Sequence, residues 1–318
     1  MDNIAHTLAG LAVRDTAPKR LFENRTFFWI ALLVANMPDI DIILWLFGPT
    51  VYFDLHRGIT HSVFSIPVWG AIGTAIAYFI SRRRLPFFRV WLLYSIIVIV
   101  HLILDWVTSY GTELFSPFDR TTYSLHLFPI VDIWSILVMT AFAVLIKFYR
   151  THRRTIAIIF ISITFIYTGF RAGAKMKSEG IVIDRFGKPD KIYSFPNIES
   201  LDTWVNPTMY RVVTVTGDSA ISYEVSPLDK LVKQQGRFDL FGPGDSLWNE
   251  VHRIGLTRAY LRRSELPIRE LRDGKLFISD LRYISGFGTT GALTLVLPIE
   301  NGEITGEPEF ARPKIKSR

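Results

Sequence analysis

Five apolar runs in the first half of the chain restrict its fold more than any other feature. Residues 27–47, 62–81, 86–107 and 127–149 each reach the roughly 20 apolar residues that cross a hydrocarbon core, and 155–170 is a shorter fifth. Inside a bilayer every backbone N–H and C=O must be satisfied within the segment, so these runs read as helices. Residues 3–13 (NIAHTLAGLAV) are also apolar but too short to span, and read as a half-helix entering from one surface. Long apolar runs stop before residue 173. The expected architecture is an α-helical integral membrane domain over 1–172, five spans plus the N-terminal half-helix, followed by a soluble domain over 173–318.

The high mean hydropathy, +0.25, agrees with a membrane protein. A net charge of +7 in a soluble chain would suggest nucleic acid as a partner. Here the basic residues cluster in short loops, so topology accounts for them and no nucleic-acid role is expected. Segments 14–25, 82–89 and 147–154 hold four Lys or Arg each, whereas the alternating loops hold only Arg57 and Arg120. By the positive-inside rule the basic loops are cytoplasmic, and loops 48–61 and 108–126 lie outside. The chain is thus expected in the cell's inner membrane as a multi-pass protein, with the C-terminal domain extracytoplasmic. Arg171, Lys175 and Lys177 run against that last step. Met1–His6 lacks the basic start of a secretory signal, so insertion is expected to rely on the spans themselves.

Residues 180–186, 191–195, 209–216, 220–225, 275–284 and 292–299 are short β-prone pieces separated by turn residues such as Gly217-Asp218 and Asp273-Gly274. Residues 246–263 read as helical. A small, β-rich α+β domain follows, with no catalytic constellation; His252 stands alone in it.

Polar residues sit where the spans should be least polar. Pro38 interrupts the first span and is followed by Asp39 and Asp41. Residues two apart point to nearly opposite sides of an α-helix, so both carboxylates can converge only where the helix is broken. Ionised groups at such depth are costly and mark function, with a salt bridge to Arg57 as the structural alternative. His56-Arg57-Gly58-Ile59-Thr60-His61-Ser62 places two imidazoles and a guanidinium before the second span. Ser62 reads as that span's N-cap. His101 and Asp105, four apart in the third span, share one helix face. Taken alone, that pair is better explained by Asp105 at the membrane surface and His101 bonded to a neighbouring helix, and His6 by a backbone carbonyl. Together, His6, Asp39, Asp41, His56, His61, His101 and Asp105 fall at one depth. With no cysteine in the chain, these imidazoles and carboxylates suit Zn²⁺, or Mn²⁺ or Fe²⁺, as one or two ions. Thr60, Thr108 and Ser109 are candidates to orient the ligands, and Arg57 to hold an anion. His126 and Asp132 are weaker candidates.

The motifs resemble the YdjM-like family of membrane-bound, metal-dependent hydrolases. The resemblance rests on Asp2-Asn3 with His6-Thr7, Asn36-Met37-Pro38-Asp39-Ile40-Asp41, the 56–62 run, and His101 through Thr112. Asn206-Pro207, Tyr210-Arg211 and Asp280–Tyr283 are similar to the C-terminal part of longer members. The HxxxD element is more distantly similar to zinc-dependent phospholipase C and P1-type nucleases. The resemblance implies hydrolysis by metal-activated water, and the expected target is a phosphoester or an acyl ester. The expected ligands are His61, His101, Asp105 and Asp39, then His6, Asp41 and His56, with one of these last three as an alternative general base. Arg57 would stabilise charge. Depth in the bilayer points to a lipid or lipid-linked substrate. An ion or metal transporter is a second reading, although the inner halves of the spans carry few acids. A non-catalytic anchor displaying the C-terminal domain is a third.

Overall fold

The structure is a computed structural model. It describes residues 3–311 except 19–20, 22–23, 83, 199–202, 204, 285–290, 292 and 301, so Asp2, Lys19, Arg20 and Arg83 lie outside the described residues. The chain forms two compact units, Met1–Leu46 with Leu55–Gly173, and Phe47–Asp54 with Ala174–Arg318.

The first unit is helical. Helix α1 (Asn3–Asp15) is followed by α2 (Arg25–Asn36), whose N-cap Asn24 accepts a hydrogen bond from the Phe27 N–H. At Pro38 the α-helix gives way to a 3-10 segment, Pro38–Phe47, bent 53° from α2. The expected break is therefore present. Helix α3 (Pro49–Leu55), which belongs to the second unit up to Asp54, is followed by two 3-10 turns, Ile59–His61 and Val63–Ser65, and by α4 (Ile66–Ile80). Helices α5 (Phe87–Trp106), α6 (Ile133–Phe148) and α7 (Arg153–Phe186) follow.

Among the described residues three stretches are long and apolar enough to cross a membrane, Val63–Ile80, Phe87–Trp106 and Arg150–Phe186, or four if the bent α2 pair counts as one. The expected fourth span, 127–149, contributes only the 16-residue α6. Asp132 stops it from starting earlier: its carboxylate caps the helix by accepting from the Ser135 N–H. The region 48–61, expected as a loop, contains α3. Ser62 does not cap α4; its hydroxyl donates to the Ile59 carbonyl, and α4 begins at Ile66.

Lipid tails are as apolar as leucine, so helix packing here relies on close approach rather than on escape from water. A Cβ on Gly10 of α1 would lie 2.6 Å from the Ala35 Cβ of α2. One turn earlier the Thr7 hydroxyl accepts from Asn36 Nδ2 at 2.8 Å. Together these contacts fix α1, and with it His6. Large apolar side chains such as Trp29, Phe79, Phe88, Phe148 and Phe165 point outward, as a lipid-facing surface requires.

The second unit is built on two antiparallel sheets. The first has the order β1 (Lys191–Pro196), β2 (Tyr210–Thr216), β3 (Ser219–Ser226), β4 (Leu231–Asp239). The second runs β5 (Pro267–Arg272), β6 (Lys275–Asp280), β7 (Leu295–Glu300), β8 (Glu303–Ile304), with β9 (Glu309–Phe310) also on β7. Strand alternation gives β2 two buried faces. Tyr210 and Val212 pack with Ala174 and Val182 of α7, whereas Val213 and Val215 pack with Leu266, Ile268 and Leu281. Residues 180–186, expected as a strand, are therefore the end of α7.

The other face of the second sheet carries Leu276, Ile278, Leu295 and Leu297 against α8 (Trp248–Arg253) and α9 (Gly255–Arg263). Each such burial contributes about 1.5–3 kcal/mol. The expected 246–263 helix is thus two helices meeting at Ile254, whose backbone is extended. Phe53 joins this core and stacks on Phe310, and its carbonyl accepts from Arg263 Nε at 2.8 Å.

Candidate metal centre

The 3-10 segment decides where the two aspartates go. At three residues per turn, positions two apart differ by about 120° around the axis, against about 160° in an α-helix. Asp39 and Asp41 accordingly reach the same imidazole from its two ends. Asp39 Oδ1 lies 3.3 Å from His61 Nε2, and Asp41 Oδ2 lies 3.3 Å from His61 Nδ1. His101, from α5, faces His61 with the two Nε2 atoms 3.3 Å apart. One helical turn on, Asp105 Oδ2 sits 3.3 Å from His101 Nε2 and 3.4 Å from His61 Nε2. Asp39, His61, His101 and Asp105 thus bring four ligand atoms within 4.8 Å of one another.

The hydrogen bonds around this group fix which nitrogens can act as ligands. His101 Nδ1 is 2.8 Å from the Ala35 carbonyl, which can only accept, so Nδ1 carries the hydrogen and the Nε2 lone pair points inward. The Thr60 hydroxyl donates its one hydrogen to Asp41 Oδ2 at 2.8 Å. It can then only accept from His61 Nδ1, 2.9 Å away, so in the neutral ring His61 Nε2 also presents a lone pair. Two imidazole lone pairs and two carboxylates meet with no hydrogen between them, an arrangement that repels itself unless a cation sits at its centre.

The charge balance agrees. Among the described residues Asp39, Asp41 and Asp105 face one permanent cation, Arg57, whose Nη2 is 2.8 Å from Asp105 Oδ1. With neutral imidazoles the carboxylates outnumber the guanidinium, and the cluster keeps a net negative charge that a cation would balance. Burial disfavours a proton on His61, yet hydrogen bonds to Asp105, Asp39 and Asp41 outweigh it and raise its pKa to about 10. The same demand for positive charge is met there by a proton. His56 is driven the other way: burial lowers its pKa, and Asp41 only partly restores it.

The remaining candidates take distinct places. His6 stacks on His101 with ring centroids 3.7 Å apart, and its Nε2 lies 3.4 Å from Asp105 Oδ1, beside the four-atom group. Both His6 nitrogens lack a hydrogen-bond partner among the described residues. Asp41 is an organiser: it accepts from His56 Nδ1 at 2.9 Å, from the Arg57 N–H at 2.8 Å and from Thr60. Thr108 bonds the Asp105 main-chain carbonyl and so ends α5, while the Ser109 N–H bonds the Phe128 carbonyl. His126 pairs with Ser124, and Asp132 caps α6, outside the cluster. In the second unit His252 takes a structural place, its Nδ1 bonded to the Trp248 carbonyl of its own helix.

Arg57 itself adopts φ +53°, a left-handed conformation that costs a non-glycine residue on the order of 1–3 kcal/mol. Its N–H to Asp41, its carbonyl to the Glu113 N–H, and its guanidinium 4.9 Å from the Tyr110 ring hold it there. Its Nε and Nη1 have no hydrogen-bond partner among the described residues, although the side chain is buried. Gly58 is needed for space rather than for positive φ, since a Cβ there would lie 2.9 Å from the Leu55 carbonyl. Sequence reasoning missed Glu113. It is fully buried, backs onto Gly58 and takes Arg120 Nε at 3.3 Å, but sits in a polar loop with no periodicity to flag it.

Fold and site together define a multi-pass membrane protein with a buried His/Asp cluster fit for a divalent cation. Residues 1–177 match the family described as YdjM inner membrane protein, and the chain belongs to that family. It is 30% identical over 138 residues to the uncharacterized protein YfhP of Bacillus subtilis (strain 168), covering 42% of each chain. It is 31% identical over 106 residues to the inner membrane protein YbcI of Escherichia coli (strain K12), covering 32% of this chain and 54% of that one. The match therefore spans about half the length of these curated relatives. No solved structure matches the chain.

Proposed function

We propose that the protein is a membrane-bound metal-dependent hydrolase acting on a phosphoester of a lipid or lipid-linked substrate. The carrying observation is the convergence of His61 Nε2, His101 Nε2 and carboxylate oxygens of Asp39 and Asp105 within 4.8 Å. Donors of this kind without thiolate suit Zn²⁺, with Mn²⁺ and Fe²⁺ as alternatives. One ion would be held by Asp39, His61, His101 and Asp105, while Arg57 Nη2 lies 2.8 Å from the other Asp105 oxygen, Oδ1. Such an ion supplies Lewis-acid chemistry, lowering the pKa of a water and polarising a phosphoryl oxygen.

The chain's own residues supply the rest. Arg57, with Nε and Nη1 unpartnered among the described residues, binds the anionic group, which favours a phosphoester over a neutral acyl ester. Asp41 accepts the His56 Nδ1 hydrogen, leaving Nε2 as the atom that takes a proton from water. Asp41 and Thr60 hold the His61 ring in its ligating orientation. The scarcity of basic residues in 48–61 and 108–126 supports a site on the extracytoplasmic side, and the grouping of Phe47–Asp54 with Ala174–Arg318 supports the same side for the C-terminal unit.

The test is hydrolysis by purified protein in detergent, using lipid phosphoesters and matching carboxyl esters. Turnover of the phosphoester, lost on chelation, restored by Zn²⁺ or Mn²⁺ and absent in His61→Ala, is expected. Metal flux into liposomes without turnover of either ester would overturn the reading in favour of a transporter.

A further inference from the structure

Helices α1 and α5, which carry His6, His101 and Asp105, also wall an apolar cavity of about 180 Å³. Ala9 and Ala12 of α1, Leu104 and Val107 at the end of α5, Met139 of α6 and Phe160 of α7 line it. Ala9 is three residues after His6, and Leu104 three after His101, so cavity and cluster occupy neighbouring stripes of the same helices. Four hydroxyl-bearing residues, Ser135, Thr164, Tyr167 and Thr168, stand at its wall, and three of the hydroxyls are turned to other partners. Thr164 and Thr168 donate to carbonyls of their own helix, and the Tyr167 hydroxyl goes to Asp132. A cavity with so apolar a wall favours hydrocarbon over water, and one of about 150 Å³ already admits benzene. Hydrocarbon is the matching occupant, and Ala9 and Ala12 are the small residues that keep the space open.

We infer that this cavity seats the hydrocarbon chain of a phosphate-bearing lipid whose head group is held at Arg57 and the cluster. The inference rests on the phosphoester reading above and adds where the tail goes. An ordinary bilayer tail would also satisfy the cavity wall. The unpartnered, buried Arg57 donors favour a ligand with both parts, an anion for the guanidinium and a chain for the cavity. A ligand so held is placed by its tail, which leaves the head group in register with His56 and the four ligand atoms.

The experiment uses the full chain in detergent with phosphatidic acid bearing a diazirine and an alkyne on one acyl chain. After irradiation, adducts mapped by mass spectrometry are expected on Leu104, Met139 and Phe160. Unlabelled phosphatidic acid should displace them, and diacylglycerol of the same chains should not. Ala9→Phe and Ala12→Leu should each lower cavity labelling about tenfold, the scale of a few displaced methylenes. Met139→Trp serves as a third filling variant, and unchanged melting curves establish that a silent variant is folded. Adducts confined to outward-facing residues away from the cavity, such as Trp29 and Phe88, or equal labelling by a diacylglycerol probe, would overturn the inference. Metal-bound protein without cavity adducts removes this inference alone. Head-group-dependent cavity adducts in protein that binds no metal keep the lipid site and remove the hydrolase reading.

Discussion

In the second unit Asp280 and Arg282 bury opposite charges 2.9 Å apart, and Arg211 and Arg263 give guanidinium hydrogens to backbone carbonyls. In the first unit Asp39, Asp41 and Asp105 converge on two histidines and share one guanidinium. The first pattern is closed: each of these buried charges has a partner within the fold. Burial works against the Arg282 charge, but Asp280 beside it outweighs this and raises the pKa. The second pattern keeps a surplus of carboxylates among the described residues, and its lone pairs point at one another. Buried polarity alone therefore does not mark a site; a surplus of one sign with inward lone pairs does.

That contrast can be broken most strongly at the ligands. His61→Ala or Asp105→Ala should abolish tight metal binding, a loss exceeding the roughly 100-fold upper range for outer-shell changes, measured by competition with a chelating dye. The closed pattern should respond in stability instead. Asp280→Ala leaves Arg282 buried without its carboxylate and should cost about 3–5 kcal/mol in denaturant unfolding, with metal content unchanged. Asp41→Asn keeps the ligand atoms but weakens the hold on His56, Arg57 and Thr60, and should lower metal affinity about 10–100-fold. The smallest effect is expected from Thr60→Val, which removes one bridging hydroxyl and should cost about 1 kcal/mol of binding, roughly fivefold in affinity. If Asp280→Ala stripped the metal, or Asp41→Asn left affinity intact, the distinction between the two patterns would fail.

Much of this was legible from the residues. Pro38 ahead of two aspartates marked the break, and the four-residue spacing of His101 and Asp105 marked a shared face. What spacing could not separate was ligand from organiser. Asp39 and Asp41 look alike in sequence, and only the 3-10 path shows one facing Nε2 of His61 and the other its Nδ1 side. Residues 180–186 misled because Ile181-Val182-Ile183 is β-branched. The buried stripe Ala174, Ser178, Val182, at four-residue spacing, is the helical signal that outweighed this composition. Phe47–Asp54 gave no hint of its place: Tyr52 and Phe53 are two aromatics in a short segment, and only packing shows them in the second unit's core.

The central claim is that the cluster exists to hold a divalent cation. The direct measurement is elemental analysis of protein purified in detergent without added metal or chelator, alongside His101→Ala. Close to one Zn, Mn or Fe per chain in the parent, lost in the variant, together with a melting temperature lowered by chelation, is the predicted result. Metal-free parent protein whose melting is indifferent to chelator and to added Zn²⁺ would contradict it.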